Sequence, residues 1–369
     1  MIRQTREITS LLVAVLLVTS LVDVAEAGSK RRRGTAGVQE LLIPLGARGI
    51  AMSGSFVAGL SGIEASAWNP AGVAAMSTNG EAMFSHVNWI ADINLTYVGV
   101  ASRFGSNFFG VTMQTVNFGD IPITTTRFPD GTGEDFSPSY LTLGFLFSKK
   151  MTDRILFGAD IKLVHEGIMR ENANGLVVDA GVQYRAGTSG IRIGAALRNL
   201  GLSMIFNGPD LEDLFVPFGA EPGTPVEPRR VKLQEFEPPT NLELGVAYGP
   251  VNLGPGTVSV AGSFLNNNFS FDEFRLGGEF AFLDMLFIRG GVTLGLDPEP
   301  FGPDFRANTG DEEGDDRWER NSEEFIWGPT AGFGLNTSKF TGVNLDVDYA
   351  YRSAKFFDSV QWITISLGF

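Results

Sequence analysis

The chain offers few residues that could carry enzyme chemistry: it has two histidines, His86 and His165, and no cysteine. Catalysis by histidine needs a Ser, Asp or Glu within hydrogen-bond reach of the ring. His86 follows Ser85, but adjacent residues of a strand point to opposite faces, and His165 precedes Glu166 near the end of another predicted strand. The GxSxG, HExxH and P-loop motifs do not occur in the sequence. We therefore expect a protein that is not an enzyme and carries no cofactor.

A dense acidic run, DEEGDDRWER at residues 311–320, is a candidate for metal binding. Ca²⁺ prefers several carboxylate and carbonyl oxygens, but the spacing here differs from that of an EF-hand loop. Such a run is also typical of a solvated loop, which is the interpretation that we favour, so we expect no metal. The net charge of −14 argues against nucleic acid as a partner, because phosphate binding needs a basic surface.

The N-terminus has the pattern of a secretory signal peptide, residues 1–27. Arg3 and Arg6 precede an apolar run at 9–22, and small alanines stand at positions 25 and 27. The run is shorter than the roughly 20 residues of a transmembrane helix. Residues 28–37 form a basic tail, whose KRRR at 30–33 could contact anionic headgroups or stay disordered. No later apolar run is long enough for a spanning helix, so any insertion into a membrane would use strands.

From residue 81 onward, the sequence alternates with period two in fourteen segments, which is typical of strands. Most are longer than the five or six residues usual in soluble proteins, and they suit the roughly 9 to 11 residues of a transmembrane strand. The predicted strands are 81–90, 93–104, 107–117, 139–149, 154–166, 174–186, 190–199, 240–249, 256–265, 271–282, 286–296, 324–335, 341–352 and 359–369.

The two faces of these strands and the lengths of their connections indicate how they assemble. One face is apolar, and the other carries charges of both signs: Asp160, Lys162, Asp179, Arg192, Arg198, Glu279, Arg289, Asp346 and Asp348. The three longest connections, 118–138, 200–239 and 297–323, follow the third, seventh and eleventh strands and so share one side. Long loops on one side and tight turns on the other are typical of a barrel in lipid. We predict an all-β fold, a 14-stranded antiparallel transmembrane β-barrel over 81–369, in the cell outer membrane of a diderm bacterium.

The last strand ends the chain on an aromatic residue. Its apolar face comprises Ile363, Ile365, Leu367 and Phe369. This pattern resembles the assembly signal that the barrel-assembly machinery reads, and the strand must close the barrel because lipid tolerates no open sheet edge. A soluble sandwich would use the same pattern in an edge strand, but the even strand count and the loop asymmetry favour the barrel.

Residues 38–80 lack the strand period and are rich in small residues, so we expect an N-terminal hatch segment in the lumen, or else a periplasmic tail. GARGIAMSGSFVAGL followed by SAWNPAGVAAM resembles the N-terminal region of PorV/PorQ-type outer-membrane proteins, relatives of the FadL transporters. The residues that carry the resemblance are Gly46, Ala47, Arg48, Met52, Asn69, Pro70, Ala71 and Gly72.

The resemblance implies two alternative roles. PorV-like members act with type IX secretion machinery and bind exported proteins, whereas FadL-like members pass hydrophobic small molecules. We favour the export role because of this resemblance. The charges on the inward face also do not suggest a continuous apolar conduit, although they could pair with one another and with the hatch. Apolar residues in the loop 209–218 would then form a partner-binding patch or pack over the barrel mouth; its members are Leu211, Leu214, Phe215 and Phe218.

Overall fold

The computed structural model describes residues 34–215, 218, 219, 221, 226–296 and 325–369. The predicted signal peptide, the basic run at 30–33 and the acidic run at 311–320 lie outside these residues. Most of the described chain is strand, because the period-two segments place one apolar face outward along their whole length.

Fourteen antiparallel strands form a closed barrel, which confirms the predicted fold. Each end lies within about four residues of its predicted position, because the alternation stops where the turns begin. The barrel strands are β1 (Gly80–Asn88), β2 (Asn94–Phe104), β3 (Asn107–Asn117), β6 (Ser139–Lys150), β7 (Ile155–Ile168), β8 (Glu171–Arg185), β9 (Ile191–Gly201), β12 (Asn241–Leu253), β13 (Gly256–Asn267), β14 (Asp272–Phe282), β15 (Leu286–Leu296), β16 (Trp327–Asn336), β17 (Asn344–Ala354) and β18 (Val360–Gly368).

The first and last strands close the ring, with Phe84 paired to Ile365 in an antiparallel register. The Gly80 backbone N–H donates to the Phe369 carbonyl at 2.8 Å, and the Phe369 N–H donates back to Gly80 at 2.9 Å. Ile363 is 49% exposed, whereas its neighbour Thr364 is fully buried. The alternation therefore separates an outer apolar wall from the interior, as lipid requires.

Four short strands, which the sequence analysis did not predict, lie in two long loops on the same rim of the barrel. β4 (Ile121–Pro122) pairs with β5 (Asp135–Phe136), and β10 (Glu212–Phe215) pairs with β11 (Glu227–Arg230). A one-turn helix, Ser338–Thr341, lies in a tight turn on the opposite rim. Segments of two to four residues are too short to show a period, which is why the sequence pattern missed them.

The N-terminal segment contains the α-helix Ala47–Ala51 and three 3₁₀-helices, Gln39–Leu42, Ile63–Ala67 and Pro70–Ala75. Its side chains form most of a buried apolar core together with inward-facing residues of the strands. No helix among the described residues has the length and apolar character needed to cross a membrane.

Candidate functional site

The motif residues at 46–48 contact two strands of the barrel wall, β18 and β14, which are separated by three others. The Ala47 N–H donates to Thr364 Oγ1 of β18 at 2.9 Å. Arg48 makes a bidentate contact with Glu279 of β14, with Nε at 3.0 Å and Nη2 at 2.9 Å from the two carboxylate oxygens. Gly46 has a φ of +84°, and a Cβ there would lie 2.3 Å from the Glu64 side chain. The helix therefore starts at a position where only glycine avoids strain.

The Asn-Pro-Ala-Gly motif contacts a third part of the wall. Asn69 Nδ2 donates to the Val182 carbonyl of β8 at 3.1 Å, and its Oδ1 accepts from the Ala71 N–H at 3.1 Å, capping a 3₁₀-helix. A Cβ on Gly158 of β7 would lie 2.2 Å from the Pro70 carbonyl carbon, so strand and helix approach backbone to backbone.

Two further motif residues are packed equally tightly. Met52 is fully buried, and a Cβ on Gly277 of β14 would lie 2.5 Å from its carbonyl oxygen. A Cβ on Gly72 would lie 2.3 Å from the Leu60 carbonyl oxygen within the segment itself. The motif thus meets the barrel through close backbone packing, in addition to hydrogen bonds.

Most of the charges predicted on the inward face pair with one another or with the N-terminal segment. In the first network, Arg289 contacts Glu279 at 2.7 Å and Asp348 at 2.5 Å, and Glu279 also holds Arg48. The attraction between buried opposite charges offsets the free-energy cost of removing them from water. Removing one member of such a pair lowers the stability of a protein by about 3 to 5 kcal/mol.

A second network lies nearer the rim with the long loops. Glu243 binds Arg198 at 3.0 Å, and Arg275 contacts both Glu243 at 3.6 Å and Glu273 at 2.7 Å. Lys162 pairs with Asp179 on the neighbouring strand, and Arg192 donates to the Gly59 carbonyl at 3.4 Å. Most of the inward charges are therefore paired within the wall or with the N-terminal segment, so their presence does not exclude a conduit for apolar molecules.

Two carboxyl groups of the N-terminal segment are buried and keep their protons more strongly than usual. Burial, together with the nearby Asp348 carboxylate, raises the pKa of Glu64 to about 8, although the Gly49 N–H donates to Glu64 Oε1 at 2.7 Å. Burial also raises the pKa of Glu40 to about 8, and the adjacent Glu166 carboxyl adds to that effect.

A cavity of about 640 Å³ lies between the N-terminal segment and the rim that carries the long loops. Its size falls within the range of small-molecule sites. Trp89 packs against Trp327 in a tilted arrangement with ring centroids 5.1 Å apart, and Phe118 contacts Tyr140 edge to face at 4.8 Å. The aromatic lining comprises Trp68, Trp89, Phe118, Tyr140, Phe206, Phe236 and Trp327.

The sequence analysis missed this cavity because its lining comes from loops, strand ends and the N-terminal segment. Trp89 and Phe118 each stand just beyond the long-loop end of a strand, after β1 and β3. Aromatic residues at those ends were the available signal, but they are also expected at the membrane interface of any barrel.

The histidines are separated and lie outside any shared site. His86 Nδ1 is 3.5 Å from Thr96 Oγ1, whereas Ser85 faces inward and bonds Thr364. His165 Nδ1 lies 2.8 Å from Asn174 Oδ1 on the next strand. Among the described residues, no group of three or more His, Asp or Glu side chains could hold a metal ion.

Part of the predicted partner-binding loop, residues 212–215, forms a hairpin with residues 227–230. Leu214 pairs through its backbone with Pro228 in the β10–β11 hairpin. The Phe215 ring is covered by the Arg229 guanidinium, 3.5 Å from the ring centre, and Leu211 is only partly exposed. Phe218 is fully exposed, and the role of the four residues in binding a partner stays a prediction.

The fold is similar to that of solved channels, although no family model and no curated protein matches the sequence. One similar structure is the CymD monoaromatic hydrocarbon channel, with a TM-score of 0.53 and 14% identity over 88% of this chain and 97% of that chain. Another is the Pseudomonas putida toluene transporter TodX, with a TM-score of 0.52 and 14% identity over 87% of this chain and 96% of that chain. At this level of identity, the likeness establishes a shared barrel fold.

Proposed function

We propose that this chain is a FadL-like channel of the bacterial outer membrane that passes hydrophobic small molecules. The observation that carries the proposal is the aromatic cavity of about 640 Å³ inside a closed, lipid-facing barrel. Aromatic walls with a few polar groups are typical of sites for small apolar ligands. The two similar structures, described as a monoaromatic hydrocarbon channel and a toluene transporter, agree with this class of solute.

Residues 38–80 act as a hatch in this proposal. Their contacts reach β2, β6, β8, β14 and β18, so the segment ties together distant parts of the wall. Because the segment is held by both ion pairs and backbone packing, the resting barrel should conduct few ions. A solute in the cavity would rest on the hatch, against Trp68 and Ala67.

The export role, which the resemblance to PorV/PorQ-type proteins favoured, gains no support from the fold or the comparisons, and the channel fits better. The binding of a partner by its loop residues stays a prediction, as does the assembly role of the C-terminal residues; the loop residues are Leu211, Leu214, Phe215 and Phe218, and the C-terminal residues are Ile363, Ile365, Leu367 and Phe369. The same holds for exported proteins, secretion components and the barrel-assembly machinery as partners.

Uptake of radiolabelled toluene by diderm cells that produce the chain tests the proposal. Ala67 lines the cavity, so Ala67→Phe should fill part of it and lower the initial uptake rate several-fold. Ala75 lines a separate hollow of about 310 Å³ near the short turns, so Ala75→Phe is a matched control that should retain uptake.

Wild-type cells that take up toluene no faster than cells with an empty vector would refute the channel. If such cells also yielded stoichiometric exported proteins bound to the purified barrel, the export role would replace it. Heat-modifiable migration of each variant establishes that the barrel has folded before uptake is compared.

A further inference from the structure

Two buried carboxyl groups face each other in the cavity wall without a basic partner. Glu40, in the hatch, is 5% exposed, and Glu166, on β7, is 4% exposed. Both side chains line the same cavity, and the Glu166 carboxyl lies near enough to that of Glu40 to raise its pKa. Neither oxygen of the Glu40 carboxylate has a partner from a donor group of the described chain.

The position of this pair is set by its surroundings. The Glu40 carbonyl accepts hydrogen bonds from Gln114 Nε2 at 2.9 Å and from the Ile43 N–H at 3.2 Å, which holds the backbone of the hatch against β3. The strand register places Tyr140 directly opposite Glu166, and its ring lines the same cavity. The carboxyl pair is therefore built into an aromatic wall.

The basic residues that line the cavity are engaged elsewhere. Lys162 pairs with Asp179, Arg198 with Glu243, and Arg275 with Glu273. The Arg352 guanidinium lies 4.4 Å from the centre of the Trp327 ring. Within the described ranges, no lysine or arginine forms an ion pair with Glu40 or Glu166, so the pair lacks a cation. Buried carboxylates are costly unless a proton or a cation compensates them.

We propose that Glu40 and Glu166 bind the ammonium group of an amphipathic amine, whose apolar part lies among the aromatic rings of the cavity. An ammonium donates up to three hydrogen bonds, which suits two facing carboxylates. Tyr140 and the nearby Phe118 add a favourable cation–π environment. Before the amine binds, one proton shared by the two carboxyl groups compensates them. Binding of the ammonium ion releases that proton to solvent, and both carboxylates then accept hydrogen bonds from the ammonium group.

This inference rests on the proposed channel function and gives the channel a preference for hydrophobic amines over hydrocarbons. The test uses two probes of similar shape, 2-phenylethylamine and ethylbenzene, with the full-length mature protein in detergent. Quenching of the cavity tryptophans reports binding of both. The wild type should bind the amine at least tenfold more tightly than the hydrocarbon, and ammonium chloride at the same concentration should not compete.

Substitutions then locate the amine. Glu40→Gln and Glu166→Gln should each weaken 2-phenylethylamine binding at least tenfold and leave ethylbenzene binding within twofold, which also demonstrates an intact cavity. Glu134→Gln, in the exposed loop after β3, is the control and should change neither.

The outcomes separate this inference from the channel itself. Equal affinity for both probes, competition by ammonium chloride, or amine binding that is unchanged in both Gln variants would overturn the amine site and leave the channel standing. The carboxyl pair would then only tie the hatch to β7. Failure of the wild type to bind either probe would count against the cavity as a solute site, and the amine site would fall with it.

Discussion

At the scale of the residue, the face of the strand on which a side chain lies determines whether its surroundings are lipid or the interior of the barrel. Ile161 of β7 is 47% exposed on the outer wall, whereas Asp160, next to it in the chain, is buried inside. An inward charge can find a partner among the strands and the hatch, but an outward charge meets lipid, where no partner exists. The cost of a charge should therefore depend on its face and its depth.

Ile161→Arg places a charge near the middle of β7 on the outer face, and we expect it to lower the free energy of unfolding by about 2 to 4 kcal/mol. Ile155, the first residue of the same strand and also exposed, is the matched control. Ile155→Arg lies near the short-turn rim and should cost only about 0 to 1 kcal/mol. Denaturant titration in lipid vesicles measures both, and equal losses would contradict the orientation of the wall.

At the scale of the element, the N-terminal segment, our proposed hatch, packs against strand glycines that let the two backbones come into contact. Gly158 of β7 meets Pro70 and Ala71, Gly194 of β9 meets Ala58, and Gly291 of β15 meets Met52, each within about 3 Å of an added Cβ. These strands have their glycines where the hatch approaches, which explains part of the high count of 46 glycines.

Gly158→Ala should push the helix Pro70–Ala75 away from β7, because backbone atoms cannot yield as a side chain does. We expect a loss of about 1 to 3 kcal/mol in stability and a rise in ion conductance across planar lipid bilayers. Gly167→Ala on the same strand is the control, since its added Cβ would meet only ordinary contacts at 3.4 Å or more. If Gly158→Ala had the same stability and the same ion conductance as Gly167→Ala, the hatch would not seal against β7.

At the scale of the whole molecule, the barrel has two unlike rims. The loops that hold β4–β5 and β10–β11 lie on the rim above the cavity, and the turns after β6 and β8 lie on the other, with the end of β18. For a channel that receives its solute from outside, the long-loop rim must face the exterior of the cell.

Labelling of introduced cysteines tests this topology, and the absence of native cysteine makes the result unambiguous. Thr126→Cys, in the exposed loop after β3, should react with a membrane-impermeant maleimide on intact cells. Asp153→Cys, in the exposed turn after β6, should react only once the outer membrane has been permeabilised. Labelling of Asp153→Cys but not Thr126→Cys on intact cells would invert the proposed orientation.

The sequence by itself was enough to predict the strands that form the barrel wall. Strand number, strand limits and the outward face of Ile363, Ile365 and Leu367 follow from a period of two, which is a local property of the backbone. The loop asymmetry followed from simple lengths between strands. The N-terminal segment 38–80 also stood out, because small residues without a period do not suit a strand in lipid, while its role as a hatch stays a prediction.

Only the tertiary structure decided what the interior does. Arg48 and Glu279 are 231 positions apart, and Glu40 and Glu166 belong to different elements, so no local pattern could pair them. The aromatic cavity likewise gathers residues from the hatch, strand ends and loops. Closing the ring brings these residues together, and the physical reason is that interior contacts depend on barrel register and curvature, which a one-dimensional pattern does not contain.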